Sequence, residues 1–170
     1  HYGAIDILVN NAGIWKRAPI NVLSERQWDE TMEVNLKGTF LFCREVLRYM
    51  KRRGGKIINI ASTAGQRGEA FHSHYAASKG AIIAFTKSIA VELARFHIQV
   101  NCVSPGWVDT DMTRAVLGRR PSRHAIEASI PRGRVATAEE IAGPVLFLAS
   151  PLSDHMIGTV LSVNGGGVLA

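Results

Sequence analysis

The chain has 170 residues, of which 46% are hydrophobic and 20% charged, so it is long enough for one domain with a substantial core and is unlike a disordered segment. Its formal net charge is +6, but no aromatic residues interleave with the basic ones as they do on a nucleic-acid-binding surface, and we expect no nucleic-acid partner. No apolar run approaches the roughly 20 residues of a membrane span, which favours a cytoplasmic protein with no membrane partner.

The cysteines and histidines follow no metal or disulfide pattern. Cys43 and Cys102 fall within predicted regular elements, without a Cys-x-x-Cys or Cys/His spacing, so we interpret them as buried thiols. His72 and His74 are close in sequence, but no third ligand makes a metal pattern with them, and we expect both to be loop residues. We predict no metal site.

Hydrophobic patterning predicts an alternation of strands and helices. Short apolar runs predict strands at residues 5–9, 57–60, 98–103 and 160–163. Helices are predicted from the capping box at residues 24–27 to just before Gly54, at residues 74–94, and from the capping box at residues 137–140 to about residue 149. Residues 61–68 are small and predict a loop. Residues 114–134 predict a mobile helical flap, rich in arginine and able to attract an anionic substrate.

This alternation is typical of an α/β protein with a doubly wound parallel sheet and helices on both faces. Ligands in such sheets bind at the carboxyl ends of the strands. That rule gathers residues 10–13, 61–62 and 105–110 along one edge, near the start of the helix at residues 74–94. We find no linker or repeat, and we therefore expect residues 1–170 to form one domain.

A tyrosine and a lysine stand out on that helix. Tyr75 and Lys79 are four residues apart and therefore share a helical face. A nearby cation favours the phenolate, so we predict that Lys79 lowers the pKa of Tyr75 and makes it an acid or base near neutral pH. Tyrosine and lysine at this spacing are also a common surface pair, and the spacing alone does not distinguish the two interpretations.

Taken together, the motifs resemble the short-chain dehydrogenase/reductase family. They are the Asn-Asn-Ala-Gly sequence at residues 10–13, Asn35 within a helix, Ser62 after a strand, the Tyr75-x-x-x-Lys79 pair, and residues 105–110. All of them occur in the order of the family, and the likeness extends over residues 5–167. It implies a Rossmann-like fold and hydride transfer between NAD(P) and an alcohol or carbonyl, with NADP slightly favoured over NAD.

The resemblance also implies roles for individual residues. Tyr75 would exchange a proton with the substrate oxygen, Lys79 would lower the pKa of Tyr75 and bind the nicotinamide ribose, and Ser62 would hold the substrate oxygen. Asn35 would support a water that leads from Lys79 to a proton path. The implied cofactor contacts, besides Tyr75 and Lys79, are Asn10, Ala12, Gly13, Ile60, Pro105, Gly106, Val108 and Thr110.

The chain also departs from the family pattern. Family members begin with a strand, a glycine-rich turn and a helix whose N-terminus binds the pyrophosphate, and a later residue chooses between NAD and NADP. These parts are missing here, and no helix follows the glycines at 165–167. We therefore expect the 170 residues to be the C-terminal portion of a longer Rossmann-fold unit. As a whole protein they should bind NADH and NADPH poorly.

Two substrate classes fit the residues. Residues 130–131, 138–140 and 163–166 resemble 3-oxoacyl-carrier-protein reductases, and Lys51, Arg52 and Arg53 could contact an acidic carrier protein. Residues 11–14, followed by Arg17–Pro19 and Trp28, are equally similar to sugar-acid and polyol dehydrogenases. We favour the carrier-protein reductase.

A third alternative, from another functional class, is a dehydrogenase-like protein that binds without catalysis. The presence of both Tyr75 and Lys79 argues against it. The family resemblance further implies a homotetramer in which the helices of Asn35 and Tyr75 pack against a partner.

Overall fold

Four parallel strands form the centre of the molecule. The structure is a computed structural model and describes residues 3–169. The strands lie side by side in chain order, as β1 (Ile7–Asn10), β2 (Gly55–Ile60), β3 (Ile98–Pro105) and β4 (Val160–Val163). In this register Asn10 lies opposite Asn59, and Pro105 lies opposite Val163. The predicted parallel sheet is confirmed, and its carboxyl ends all meet at one edge.

Helices cover both faces of the sheet. The first helical segment comprises α1 (Glu25–Met32), a π-helical turn (Glu33–Lys37) and α2 (Gly38–Met50). It is followed by α4 (Ser73–Leu93) on the same face, while α7 (Ala138–Ala149) packs on the other. Both predicted capping boxes are present, since Ser24 and Thr137 each accept a hydrogen bond from the backbone N–H of the third helical residue.

Two core clusters lie on opposite sides of the sheet because successive strand residues point to opposite faces. Ile57 and Val100 pack with Met50 and Leu93 from the α2 and α4 side. Ile58 and Val103 pack against Leu148 of α7. This arrangement fixes α4 and α7 on either side of the carboxyl ends of the strands.

The predicted loop at residues 61–68 contains a helix, so that prediction was wrong. Residues Thr63–Arg67 form α3, and Ser62 caps it by accepting a hydrogen bond from the N–H of Ala64 at 3.1 Å. Five residues are too few to reveal a helical hydrophobic period, which explains the error. The prediction for His74 was also wrong, because this residue lies fully buried in the first turn of α4.

The arginine-rich segment forms two short helices, α5 (Arg114–Leu117) and α6 (Arg120–Ala128). Three of its arginines are paired with acidic residues and are thus partly neutralised. Arg114 pairs with Asp111, Arg123 with Asp109 and Glu127, and Arg134 with Glu140. An isolated parallel bridge between Val108 and Ala136 joins the loops that come before and after this segment.

Three further features concern the helices, strand β1 and the cysteines of residues 3–169. None of the helices in this part of the chain is long and apolar enough to cross a membrane. Strand β1 is paired with β2 alone and leaves Ile7 47% and Val9 41% exposed. Cys43 and Cys102 are buried free thiols, as predicted.

Candidate active site

A cavity of about 1000 Å³ opens at the carboxyl ends of the strands. Its walls are the segments that follow β1, β2 and β3, together with the start of α4 and one face of α7. They comprise residues 11–13, 60–64, 105–108 and 110–113, with Tyr75 and Lys79 from α4 and Ile141, Ala142 and Val145 from α7. The cavity therefore lies where the parallel-sheet rule predicts a ligand site.

Tyr75 and Lys79 lie in the wall of this cavity and are both buried, with 8% and 4% of their surface exposed. The Lys79 ammonium donates a hydrogen bond to the carbonyl oxygen of Ile60 at 2.7 Å, which ties α4 to the end of β2. Its Nζ lies 5.8 Å from the centre of the Tyr75 ring. Because both side chains are buried, the interpretation of Tyr75 and Lys79 as a surface pair is excluded.

Burial dominates the protonation of this pair. It raises the pKa of Tyr75, an effect partly offset by hydrogen bonding from Ser62, so the predicted lowering by Lys79 was wrong for the protein alone. Burial also lowers the pKa of Lys79 to about 8. At neutral pH Tyr75 therefore retains its proton and Lys79 is mostly charged, a combination suited to proton donation by the phenol.

Ser62 reaches the cavity from the N-terminus of α3. The position of α3 against α4 depends on two glycines that bring the backbones together. A Cβ atom on Gly65 would lie 2.5 Å from the carbonyl carbon of Lys79 and 2.6 Å from the nitrogen of Gly80. This close approach holds Ser62 on the same side of the cavity as Tyr75.

Asn35 is fully buried in the π-helical turn and lies behind the cavity wall. Its Oδ1 accepts from the N–H of Ile14 at 2.8 Å, while its Nδ2 donates to the Ile14 carbonyl and to the Ser78 hydroxyl, each at 3.0 Å. A Cβ atom on Gly13 would lie 3.3 Å from this Oδ1 and 3.5 Å from Lys79 Nζ. Asn35 therefore links the loop after β1 to α4 and sets the position of Gly13.

Asn10 is the one predicted cofactor contact that is absent from the cavity wall. Its side chain points into the interior, where Nδ2 donates to Asn59 Oδ1 at 2.8 Å and to the Cys43 sulfur at 3.2 Å. Asn59 in turn donates to the Thr86 hydroxyl at 2.9 Å. The Asn10 side chain thus anchors the loop that carries Ala12 and Gly13. The remaining predicted contacts, Ile60, Pro105, Gly106, Val108 and Thr110, do line the cavity.

Sequence reasoning missed three charged residues in the wall, Arg67, Glu69 and Asp111. Arg67 belongs to the segment predicted as a small-residue loop, and Glu69 follows directly after that segment. The Trp15 indole donates to Glu69 at 3.3 Å, stacks on His72 with ring centres 4.4 Å apart, and meets the edge of Trp107 at 5.7 Å. Of these rings, those of Trp15 and Trp107 line the cavity.

Neither Gln66 nor the basic run at 51–53, which was predicted to contact an acidic carrier protein, lines the cavity. Gln66 is occupied by hydrogen bonds with Ser104 and Ser162, between α3 and the ends of β3 and β4. The basic run at 51–53 comes just before β2, at the amino ends of the strands. Because the cavity is at the carboxyl ends, this run lies at the opposite edge of the sheet and cannot flank the cavity mouth.

The architecture is that of the Rossmann-like α/β proteins, with a cavity at the carboxyl edge of a parallel sheet that has helices on both faces. A family model described as "Enoyl-(Acyl carrier protein) reductase" matches residues 1–167. The solved gluconate 5-dehydrogenase of Burkholderia cenocepacia, in complex with NADP and tartrate, superposes with a TM-score of 0.94 at 40% identity over 98% of this chain and 66% of its own. A short-chain dehydrogenase/reductase from Brucella melitensis gives a TM-score of 0.93 at 36% identity, over 99% and 67% of the two chains.

Curated relatives agree with this placement. The chain is 45% identical to the 3-oxoacyl-[acyl-carrier-protein] reductase FabG of Vibrio cholerae over 97% of its length and 67% of the relative. It is 43% identical to the enzyme of the same name from Thermotoga maritima over 99% and 68%. The chain spans about two thirds of the length of the relatives it matches. It belongs to the short-chain dehydrogenase/reductase family of NAD(P)-dependent oxidoreductases.

Proposed function

We propose that the protein interconverts a carbonyl and a secondary alcohol, with Tyr75 as the acid and base, and that its substrate is a 3-oxoacyl thioester. The observation that carries this proposal is the convergence of Tyr75, Lys79 and Ser62 on one cavity at the carboxyl edge of the sheet. Two elements supply them, α4 for Tyr75 and Lys79 and the N-terminus of α3 for Ser62, and α3 packs closely on α4.

In the reducing direction Tyr75 gives its proton to the substrate oxygen. Burial raises the pKa of the phenol, so the proton is present at neutral pH. The Ser62 hydroxyl, which also lines the cavity, would hold the same oxygen and stabilise negative charge that develops on it. The Lys79 charge, within the same wall, favours the phenolate that remains after the proton has left.

The cavity residues fit a nicotinamide cofactor. Ala12 and Gly13 leave room for close approach beside Lys79, and a Cβ atom at Gly13 would crowd Asn35 Oδ1 at 3.3 Å. Val108 and Thr110 also line the cavity and would hold the carboxamide. When bound, the cofactor supplies or accepts the hydride. We propose NADP, because the solved gluconate 5-dehydrogenase relative carries NADP.

The carbonyl substrate is proposed from the relatives named 3-oxoacyl-[acyl-carrier-protein] reductase. A sugar acid is the second candidate, because the solved relative of 40% identity is a gluconate 5-dehydrogenase. Aromatic rings such as those of Trp15 and Trp107 also pack well on sugars.

The test compares NADPH oxidation with an acetoacetyl thioester and with 5-keto-gluconate. We expect the thioester to have the higher kcat/KM, and we expect Tyr75→Phe to lower kcat by at least about a thousandfold with little change in folding. A higher kcat/KM for 5-keto-gluconate would reject the thioester as the substrate and favour a sugar acid. NADPH binding without turnover of either would instead favour a non-catalytic binding protein.

We further propose a cytoplasmic homotetramer. Its support is the apolar surface of the first helical segment, where Phe40, Leu41 and Phe42 are 36–63% exposed. Free thiols at Cys43 and Cys102 suit a reducing compartment. Light scattering coupled to size-exclusion chromatography measures the assembly, and cell fractionation measures the location.

A further inference from the structure

Glu69 is an acidic residue of the cavity wall to which the reaction assigns no role. The other acidic wall residue, Asp111, pairs with Arg114. Glu69 instead contacts an indole and an imidazole. Trp15 Nε1 donates to its Oε2 at 3.3 Å, and His72 Nδ1 lies 3.4 Å from its Oε1. The Glu69 side chain is 21% exposed, so it is held in place yet remains accessible.

The contacts of His72 leave the charge of Glu69 in place. His72 Nδ1 lies 3.1 Å from the carbonyl oxygen of Ala70, and a carbonyl only accepts, so Nδ1 carries a hydrogen. His72 Nε2 is buried and has no hydrogen-bond partner among the residues that the structure describes. In the part of the chain that the structure describes, no lysine or arginine forms an ion pair with Glu69, whose one ion-pair contact is His72. The wall therefore presents a carboxylate without a lysine or arginine partner.

This carboxylate acts on the reacting centre. Its charge is one of the influences that raise the pKa of Tyr75, after the larger effect of burial. An anionic group of a substrate bound at Tyr75 would experience the same field, in a cavity partly shielded from water. A neutral group would not, and a hydroxyl or amide N–H could donate to the free lone pairs of Glu69.

We propose that Glu69 determines substrate specificity by selecting carbonyl compounds that are neutral near the reacting carbon, such as thioesters and esters of 3-oxo acids, over those that carry a carboxylate there. Trp15 and His72 are positioning residues for this carboxylate. The inference rests on the proposed function and gives it a physical basis, because a thioester differs from its free acid in that one charge.

Arg67 offers the opposite possibility, since it also lines the cavity. It is an exposed residue at the end of α3, where water screens its charge, whereas Glu69 is partly buried against Trp15. If Arg67 dominated, an anionic substrate would be preferred. The two residues can be separated because each can be neutralised without loss of size.

The experiment uses one carbonyl in a neutral and an anionic form, ethyl acetoacetate and acetoacetate. The kcat/KM of each is measured with NADPH for the wild-type protein, Glu69→Gln, Arg67→Gln and the control Glu45→Gln, whose carboxylate pairs with arginines on the surface of α2. Glutamine at 69 retains an oxygen that can accept from Trp15. We expect Glu69→Gln to raise kcat/KM for acetoacetate at least about tenfold and to change that for the ester less than about threefold.

A second readout does not require turnover. Calorimetry gives the Kd of 3-hydroxybutyrate and of its methyl ester for the same variants, with and without NADP. We expect Glu69→Gln to strengthen binding of the anion about tenfold relative to the ester. An unchanged ratio in Glu69→Gln, or a ratio that responds to Arg67→Gln instead, overturns the inference. Absence of NADPH oxidation with a changed Kd ratio would reject the proposed function and support the role of Glu69.

Discussion

Burying Lys79 costs stability, and this has a measurable consequence at the scale of the residue. Its pKa is about 8 in the folded protein against 10.5 as the ordinary value, so between these two pH values the unfolded chain binds more protons. Stability therefore rises with pH from about 8 to about 10.5, and at neutral pH the buried charge costs about 3 kcal/mol. The hydrogen bond from Lys79 to the Ile60 carbonyl offsets part of this free-energy cost.

We expect Lys79→Met to raise the free energy of unfolding at pH 7 by about 1 kcal/mol, because it removes more desolvation cost than hydrogen-bond energy. Urea unfolding of both proteins at pH 7 and pH 9 measures this. The difference should shrink at the higher pH. A variant that is less stable at both pH values would contradict the argument.

The same ionisation predicts the pH dependence of catalysis. Below about pH 8 Lys79 is charged in the free protein, and above it the charge that supports the Tyr75 phenolate is lost. We expect kcat/KM for carbonyl reduction to fall as pH rises through about 8. A pH profile of kcat/KM measures this, and a profile that stays level from pH 7 to pH 9.5 would exclude Lys79 as the controlling group.

From the sequence, the four-residue spacing of Tyr75 and Lys79 was enough to place both on one helical face, and Ser62 could be assigned from the family resemblance. The direction of the Tyr75 pKa could not be predicted. It depends on how deeply α3, the end of β2 and the Trp107 loop cover the phenol, and those segments are distant in sequence. An argument from Tyr75 and Lys79 alone includes the effect of the cation on the pKa of Tyr75 and omits the effect of burial.

At the scale of elements, the contact of α3 with α4 controls the distance between Ser62 and Tyr75. Gly65→Ala would place a methyl group against the backbone of Lys79 and Gly80, and α3 must shift to accept it. We expect kcat to fall at least about tenfold and stability to fall by about 1–3 kcal/mol. Steady-state kinetics and thermal unfolding measure the two effects.

Gly143→Ala in α7 is the matched control for that substitution. A Cβ atom at Gly143 would meet nothing within 4 Å, and alanine is a better helix former than glycine. We expect kcat to be unchanged and stability to rise slightly. Equal kinetic effects of the two substitutions would show that the α3–α4 distance is not important.

The elements differ in how well the sequence predicts them. The strands and the long helices were found within a few residues, because each has a clear apolar pattern and two of the helices begin at a capping box. The π-helical turn that carries Asn35 was missed, since one extra residue per turn leaves no mark on an otherwise continuous helical pattern. Helix α3 was missed because it is short.

At the scale of the whole molecule, exposed aromatic surface predicts self-association. Phe42 is 63% exposed on α2, next to Phe40 and Leu41, and a charge there would oppose burial against a second copy. We expect Phe42→Asp to reduce the assembly to smaller species, as measured by light scattering. Ile20→Asp, at a loop residue that is 75% exposed, is the control and should leave the assembly unchanged.

The sequence predicted which edge of the sheet carries the site, because the carboxyl ends of parallel strands coincide. It did not predict that Arg67 and Glu69 join the wall, that Asn10 turns inward, or that the basic run at 51–53 is at the far edge of the sheet. Each of these depends on the direction of a side chain or on the distance across the molecule. Neither is encoded in a local pattern.

The buried polar side chains of Asn10, Asn59 and Thr86 also bear on how the chain finds its fold. Asn10 and Asn59 are direct partners in the ladder of β1 and β2, and their side chains bond to each other. If β1 slipped by one residue, the Asn10 side chain would turn to the other face, leaving the Asn59 carboxamide with an unmet acceptor inside an apolar layer. Such a loss costs about 1–3 kcal/mol. Strand β1 is short and hydrophobic, and it has few other features that distinguish the correct pairing register from a shifted one. The amides of Asn10 and Asn59 therefore fix the register of β1 during folding.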